Sequence, residues 1–301
     1  MDIKGLLVNL GKLLLCGLAF GVGMVAGGML ASLLQLPPPP MPEGIDANAA
    51  GNITLLEGPL LALALAFVAR GLAGSFLART LILSLLTWIA YTVNTQLEVS
   101  IFTAFGGGFW FTVIAFLVPG VFCSAAVAYL FPPDEKSTGY AAAWKAFFSR
   151  RAAGAWAWRL AVAAVAFMPV YYAFGLLVVP FTIQYYQQGM FGLRIPGLDQ
   201  ILSVLFVRSL LFLLACLPVL AAWQKSRRSL FFSLGFALFV LVGLLGMLSA
   251  TWMPLSVRVP HTLEILADEF VYAGLLVLLL AGREAAREPR LSQLKPSHQR
   301  G

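Results

Sequence analysis

Residues 261–269 carry four ionisable side chains, three of which share one helical face. His261, Glu264 and Asp268 follow one another at i, i+3 and i+7, a spacing that aligns side chains along a helix. Glu269 points about 100° away from Asp268 at 3.6 residues per turn. An imidazole beside carboxylates can exchange protons, bind a cation or orient a polar head group. The spacing therefore marks this segment as a candidate functional site.

Further polar residues lie at comparable depth in other apolar segments. Arg208 lies eight residues into its segment, about 12 Å from the end at 1.5 Å per residue. Asp268 lies at a similar depth, so an ion pair is expected if the two helices are adjacent. Three more polar residues lie near the outer ends of their segments: Glu57, Asn94 and Glu98. We predict one binding site formed by Glu57, Asn94, Glu98, Arg208, His261, Glu264, Asp268 and Glu269.

Each of these residues also has a purely structural interpretation. Glu264 suits the N-terminal end of a helix dipole, and an ion pair of Arg208 with Asp268 can simply select one helix packing. Three residues lie close enough to helix ends to meet water or headgroups: Glu57, Glu98 and His261. Ionisable groups deep in a bilayer are costly and usually functional. The residues for which the functional interpretation is preferred are Arg208, Asp268 and Glu269.

The elements that must position these residues are membrane helices. The chain has 301 residues, of which 60% are hydrophobic and 11% charged, and its mean hydropathy is +0.88. Soluble domains carry about 25% charged residues, so this chain cannot cover a water-facing surface. A spanning helix needs about 20 mostly apolar residues. The segments that approach this length lie near residues 13–36, 53–69, 80–98, 108–131, 156–181, 200–222, 229–254 and 262–281.

These segments predict an all-α fold, a bundle of eight transmembrane helices in a single integral membrane domain over residues 1–301. Of the 20 Lys and Arg residues, only Arg194 and Arg258 fall in outer loops and Arg208 falls within a span. The remaining 17 lie on the side of the N-terminus, which is the cytoplasmic side by the positive-inside rule. We expect both termini to be cytoplasmic, with a basic tail at 282–301, in a plasma membrane of bacterial inner-membrane type.

Local patterns add detail to this bundle. Small residues recur every fourth position in the first segment, which lets another helix approach closely: Ala19, Gly23, Gly27 and Ala31. Aromatic and basic residues at helical spacing predict a short amphipathic helix at the inner membrane surface: Tyr140, Trp144, Phe147 and Arg151. Pro119 and Pro169 predict kinks. The outer loop at 184–196 is either a lid over the site or a loop at the membrane interface. A duplication of four helices plus four is permitted but unproven.

Several classes of function are excluded. The net charge of +7 follows from the topology and from attraction to anionic lipids at the inner face, and we expect no nucleic-acid partner. Two histidines cannot form a three-histidine metal site, and we expect no metal or cofactor. The chain has no G-x-S-x-G, H-E-x-x-H or Walker A motif. Its three cysteines fall in apolar runs, as buried hydrophobic residues do.

Three functional hypotheses remain. The first is a permease or ion-coupled carrier whose site uses Arg208 and the carboxylates at 264–269. The second is an accessory or scaffold subunit whose deep charges pair with each other or with a partner membrane protein. The third is a membrane-embedded enzyme for a lipid or lipid-linked substrate, with Glu264 or Asp268 as base and His261 as its proton-transfer partner. The ligand is then a small molecule, an ion or a lipid.

Overall fold

The computed structural model describes residues 3–40, 47–133 and 138–282. The chain is all-helical as predicted, with 82% helix and no strand in the described ranges. Most of the predicted basic tail, from residue 283 onward, lies outside the described residues. The helices are α1 (Ile3–Leu33), α2 (Ala47–Ala69), α3 (Phe76–Thr87), π1 (Trp88–Val93), α4 (Asn94–Phe102), α5 (Phe109–Ala115), α6 (Leu117–Leu130), α7 (Tyr140–Ser149), α8 (Ala153–Val165), α9 (Phe167–Gln187), α10 (Leu198–Ala222), α11 (Arg227–Leu238), π2 (Phe239–Leu244), α12 (Leu245–Ser249) and α13 (Leu255–Leu280).

Six helical stretches in the described residues are long and apolar enough to cross a membrane, which indicates a membrane-embedded protein. They are Ile3–Leu33, Phe76–Phe102, Phe109–Leu130, Ala153–Gln187, Leu198–Ala222 and Arg227–Ser249. The predicted count of eight is not confirmed. The other two predicted spans fall on α2, whose described apolar part is only Leu56–Ala69, and on α13, which carries three carboxylates in its middle. The residues that make α13 a candidate site also lower its hydropathy.

Two of the long stretches are interrupted just before a proline. α5 ends at Ala115, four residues before Pro119, and α8 ends at Val165, four residues before Pro169. Proline has no N–H to donate to the carbonyl four residues earlier, and its ring clashes with that turn. The kinks expected from the sequence therefore lie where the backbone hydrogen bond is lost.

Helix α1 packs closely against α5 and α6 through its small residues. A Cβ atom on Gly23 would collide with the backbone of Pro119, and one on Gly27 with the backbone of Ala115. Only glycine allows the helix axes to come this near. The small-residue stripe is therefore a packing surface, as its spacing predicts.

The amphipathic segment forms α7, a helix of ten residues. Phe147 is 1% exposed, and its ring lies 4.9 Å from that of Trp156. The Trp156 indole N–H donates to the carbonyl of Phe148 at 2.8 Å. The aromatic side of α7 thus packs inward on the bundle, alongside α10, and a position at a membrane surface is not confirmed.

Arginine side chains cap the C-terminal end of α13. Arg151 donates to the carbonyl of Leu280 at 2.8 Å, Arg159 to that of Leu279 at 2.7 Å, and Arg227 to that of Val277 at 2.9 Å. The last carbonyls of a helix have no partner within it and attract cations. Burial lowers the pKa of the Arg151 guanidinium, and the neighbouring arginines lower it further. Three segments are thereby joined to one helix end.

Two of the spanning stretches contain a π-helix in their middle. π1 joins α3 to α4 and π2 joins α11 to α12, each over six residues. The two π-helices contact each other inside the bundle. A π-helical turn is rare and often accompanies a functional site, because it shifts the direction of the side chains that follow it.

Candidate functional site

A cavity of about 610 Å³ lies between α4, α9, α10, α12 and α13. Much of its wall is apolar, with Phe167, Leu176, Val179 and Ile265 among the lining residues. Pockets of this volume accommodate drug-sized ligands. Leu176 is 67% exposed, so the cavity reaches the outer surface of the bundle beside α9. Six of the eight predicted site residues line it: Glu98, Arg208, His261, Glu264, Asp268 and Glu269.

Arg208 lies at the polar end of this cavity and is 2% exposed. Its Nη2 lies 2.9 Å from Oε2 of Glu98, and the Tyr171 hydroxyl donates to Oε1 of the same carboxylate at 3.1 Å. The guanidinium carbon lies 5.5 Å from the ring centres of Phe167 and Tyr171 and 6.0 Å from that of Phe212. These distances are within cation–π range. One carboxylate and three rings therefore hold this cation.

The ion pair of Arg208 differs from the one expected from depth along the sequence. Its partner is Glu98 on α4, whereas Oδ1 of Asp268 has no hydrogen-bond partner among the described residues. Helix α10 packs along α3, π1 and α4, while α13 packs along α9 and α11. Depth predicts which residues share a level in the membrane, but the neighbouring helix decides which of them meet.

His261 joins a carboxylate to a phenol at one side of the cavity. Its Nδ1 lies 2.7 Å from Oε2 of Glu264, and its Nε2 lies 3.2 Å from the Tyr186 hydroxyl. Arg258 donates to two carbonyls at the end of α12, at 2.6 and 2.9 Å, and so fixes the first turn of α13. A carboxylate at one ring nitrogen orients the imidazole and leaves the other nitrogen for a second partner. This arrangement is suited to moving a proton.

Asp268 and Glu269 are buried at the cavity, with exposures of 3% and 0%. Oδ1 of Asp268 and both carboxylate oxygens of Glu269 have no hydrogen-bond partner within the described ranges. Both carboxyl groups interact electrostatically with Arg208, but its ion pair is with Glu98. A buried ionised carboxylate without a partner is costly. A proton or a cationic ligand would remove that cost.

Asn94 and Glu57 lie outside the cavity lining. Asn94, the first residue after π1, is fully buried, and neither polar atom of its amide has a partner in the described part of the chain. Glu57 is 5% exposed and interacts with the side chains of Ser249 and Tyr91, and the Ser249 hydroxyl donates to the carbonyl of Leu245 at 2.9 Å. The predicted site is thus divided: six residues share the cavity and these two do not.

The sequence interpretation missed the aromatic partners of the site. Tyr171 and Phe167 hold Arg208 and Glu98 in place, yet they lie in a segment that hydropathy describes simply as apolar. Two adjacent tyrosines, Tyr171 and Tyr172, in the middle of that segment are the one signal that could have indicated polar contacts. Tyr186 was assigned to the outer loop, but it belongs to α9, which continues to Gln187.

The loop after α9 is attached to the end of α4. Arg194 donates to the carbonyls of Ser100 and Ile101 at 2.6 and 3.1 Å, and Leu193 forms an antiparallel bridge with Thr103. Leu193 lines the cavity. Of the two expectations for this loop, the position over the cavity fits these contacts, because the loop forms part of its rim.

No group of three or more His, Cys, Asp or Glu residues within the described ranges is arranged to hold a metal ion. Comparisons with protein family models, with curated proteins and with solved structures give no match for this chain. What the protein does must therefore be inferred from the cavity.

Proposed function

We propose that the protein is a proton-coupled carrier for a hydrophobic molecule with a cationic group, which binds in the cavity beside Arg208. The substrate displaces protons from the carboxyl groups of Asp268 and Glu269 when it binds. The carrier class is the ion-coupled permease expected from the sequence, and the cavity adds the chemistry of the substrate.

The charge balance of the cavity carries this proposal. Arg208 is already neutralised by Glu98, and Oδ1 of Asp268 and both carboxylate oxygens of Glu269 have no hydrogen-bond partner among the described residues. In a medium of low dielectric constant such groups either hold protons or bind a cation. A site that changes between these two states couples the binding of a cation to the release of a proton.

The shape of the cavity supports a substrate with an apolar body. Its wall combines rings and aliphatic side chains, among them Phe167, Leu176 and Ile265. Its carboxyl and guanidinium groups are those of Glu98 on α4, Arg208 on α10 and Glu264, Asp268 and Glu269 on α13. A molecule with a positive charge at one end and an apolar remainder therefore matches both parts.

The membrane topology of the proposed carrier is that expected from the sequence. It has eight spans, with α2 and α13 as the second and the eighth, and it lies in a plasma membrane as a multi-pass protein with both termini cytoplasmic. Helix α7 then lies at the inner surface, close to anionic lipids. Charged residues in α13 are tolerated because they face a cavity and not lipid.

The test uses tetraphenylphosphonium as a hydrophobic cation and the full chain in lipid nanodiscs. Calorimetric titration in two buffers of different ionisation enthalpy reports both binding and the number of protons released. We expect wild-type protein to bind and to release protons, and an Asp268→Asn/Glu269→Gln variant to lose that release and at least about tenfold in affinity. Asp199→Asn, outside the cavity lining, is the matched control.

Binding of the cation without proton release, or unchanged binding in the double variant, would contradict the proposal. A second measurement addresses transport itself. Proteoliposomes with an imposed pH gradient should accumulate the cation, and dissipation of the gradient by a protonophore should abolish the accumulation. Accumulation that persists without the pH gradient would contradict the proposed coupling of cation transport to proton movement.

The enzyme hypothesis is a second candidate, favoured by the contact of His261 with both Glu264 and Tyr186. Such an arrangement can deliver a proton to a bound lipid. Against it, Arg208 is enclosed by Glu98 and three rings and is poorly placed to bind an anionic head group. Incubation with phosphatidylglycerol and mass spectrometry of the lipids should show no product, whereas a product lost in His261→Ala/Glu264→Gln would favour the enzyme. The accessory hypothesis, in which the deep charges pair with each other or with a partner protein, is the weakest of the three, because Asp268 and Glu269 line a cavity.

A further inference from the structure

Helices in the two halves of the chain have the same boundaries when residue i is compared with residue i+151. α3, π1 and the start of α4, at residues 76–87, 88–93 and 94, correspond to α11, π2 and the start of α12, at 227–238, 239–244 and 245. The serine before each stretch caps it in the same way. Ser75 accepts from the backbone N–H of Ala78, and Ser226 accepts from that of Ser229. π-helices are rare. Two of them at equivalent positions therefore indicate that the two halves are related.

The two halves contact each other through residues that are counterparts of one another. Leu72 and Trp223, which differ by 151, form an antiparallel bridge. The N–H of Ala73 donates to the carbonyl of Ala222 at 2.7 Å, and the N–H of Gln224 donates to that of Gly71 at 2.9 Å. Exchanging each residue for its counterpart converts the first bond into the second. This relation requires a local twofold axis between the halves.

Helix packing follows the same relation. α1 packs on α6 and α9 on α13, α3 packs on α6 and α11 on α13, and α2 packs on α11 as α10 packs on α3. In each half a cation of the first spanning helix donates to a carbonyl at the end of the fourth. Lys12 donates to Leu130 at 3.0 Å, and Arg159 donates to Leu279 at 2.7 Å.

The buried polar contacts of the two halves are also related. Glu57 and Arg208 differ by 151, and so do Glu98 and Ser249. Arg208 forms its ion pair with Glu98, and Glu57 interacts with the side chain of Ser249. The same pair of positions is therefore in contact twice, once as an ion pair and once as a carboxyl and a hydroxyl, and Ser249 also lines the cavity.

We propose that the chain is a tandem duplication of a four-helix unit, and that Glu57 with Ser249 and Tyr91 is a second buried site, the counterpart of the Arg208–Glu98 pair, whose ligand is a proton. Glu57 itself lies outside the cavity lining, so its proton does not depend on what the cavity binds. A protonated carboxyl donates to one hydroxyl and accepts from another, which matches two neutral partners. Two halves in the same orientation place the axis along the membrane normal.

The described residues around Glu57 include no cation that could hold it ionised. Tyr91 from π1 and Ser249 from α12 are the described side chains that interact with it. α6 has no charged residue. The charged residues of α1, α3 and α11 lie in the parts of these helices toward the opposite end of the bundle: Lys4, Lys12, Arg79, Arg227 and Arg228.

The equivalence is tested by transplanting the ion pair from one half to the other. Glu57→Arg alone buries an arginine without a counter-charge and should lower the melting temperature by about 10 °C. Adding Ser249→Glu recreates the Arg208–Glu98 pair at the symmetry-related place and should recover most of that loss. The control adds Ser124→Glu instead, at another fully buried serine on α6, which also packs on α2.

Equal melting temperatures for the two double variants would overturn the equivalence. If Glu57→Arg alone does not fold, recovery of folded, monodisperse protein replaces the melting temperature, and only Ser249→Glu should give it. The reverse transplant, Arg208→Glu with Glu98→Ser, should be more stable than Arg208→Glu with Glu98 unchanged, because the latter places two carboxyl groups together.

The proton is tested by infrared spectroscopy of the full chain at neutral pH. The difference spectrum of wild type minus Glu57→Gln should contain the carbonyl stretch of a protonated carboxyl group. Asp199→Asn, near the N-terminal end of α10, should instead remove the bands of an ionised carboxylate. If Glu57→Gln also removes only ionised carboxylate bands, Glu57 is not a proton site.

Discussion

The two halves of the molecule differ most where α1 meets α5 and α6 in one half and α9 meets α13 in the other. In the N-terminal half, Gly23 and Gly27 bring α1 into backbone contact with α5 and α6. In the C-terminal half, α9 packs on α13, and Tyr171, Tyr172 and Leu176 of α9 line the cavity. Large side chains hold two helices apart, and glycines let them meet. The same packing scheme thus yields a closed half and an open one.

The buried polar residues also differ between the closely packed region around Glu57 and the cavity. Glu57 has the neutral neighbours Tyr91 and Ser249, whereas the cavity gathers Arg208 and four carboxyl groups, of which Glu98 belongs to the N-terminal half. Space and charge occur together because a cavity can hold the water, proton or ligand that a charged group needs. The comparison predicts that charge changes are severe beside the cavity and mild at Glu57.

The largest expected effect is the loss of the counter-charge of Arg208. Glu98→Gln should lower the free energy of unfolding by about 3–5 kcal/mol, because it leaves a buried cation unpaired. Glu57→Gln should cost only about 1 kcal/mol, since an amide keeps hydrogen bonds to neutral partners. Denaturant unfolding in detergent measures both. Replacing both charges, as Glu98→Leu with Arg208→Met, should restore most of the stability, and similar losses for the two Gln variants would break the comparison.

The next effect concerns the closed half. Gly27→Val should destabilise the protein by about 1–3 kcal/mol, because its side chain would overlap the backbone of Ala115. Gly28→Val is the matched control, since a Cβ at Gly28 meets no atom within 4 Å and carries the same cost in helix propensity. Thermal unfolding of the two variants under one condition gives the difference. If Gly28→Val is as harmful, close packing is not what Gly27 provides.

Filling the cavity should affect binding more than stability. Gly246 lines the cavity, and a Cβ there meets nothing within 4 Å, so Gly246→Leu should fit and occupy ligand space. We expect about tenfold weaker binding of tetraphenylphosphonium, or about 1.4 kcal/mol. Gly21→Leu, whose position is equally open but outside the lining, should bind as wild type does. Unchanged affinity in Gly246→Leu would place the ligand elsewhere.

The smallest effects are expected for the removal of two tyrosine hydroxyls, those of Tyr91 and Tyr186. Tyr91→Phe and Tyr186→Phe each remove one hydrogen bond, to Glu57 and to His261 respectively, at a cost of about 1 kcal/mol of stability. Affinity for the cation should fall only in Tyr186→Phe, because Tyr186 lines the cavity. Parallel unfolding and binding titrations distinguish the two. A loss of affinity in Tyr91→Phe would mean that the halves do not act separately.

Hydropathy predicted much of the fold because lipid requires long apolar helices whose backbone bonds are satisfied internally. It placed the apolar segments and the breaks before Pro119 and Pro169. It did not predict π1 and π2, since a shift of backbone hydrogen bonds by one residue leaves no mark in apolar composition. In α13 the two sequence signals conflict. The carboxylates that indicate a functional site also lower the hydropathy that indicates a membrane span.

The site was predicted in its members but not in its pairing. Ionisable residues in apolar segments identified Arg208 and the α13 carboxyl groups, because such residues are rare in membranes. The partner of Arg208 depended on which helices are neighbours, which one sequence does not contain. The duplication was equally hidden. Across Phe76–Phe102 and its counterpart, only Leu83 with Leu234 and Leu97 with Leu248 are identical, because many apolar side chains can fill the same position.

The arginine caps on the last turn of α13 also determine how this helix can move. With its carbonyls bound by Arg151, Arg159 and Arg227, that end is a pivot, and the helix is a lever whose other arm carries His261 and is held to α12 by Arg258. The arm from Val277 to His261 is about 24 Å long at 1.5 Å per residue. A tilt of about 5° at the pivot displaces His261 by about 2 Å, enough to exchange one hydrogen-bond partner for another.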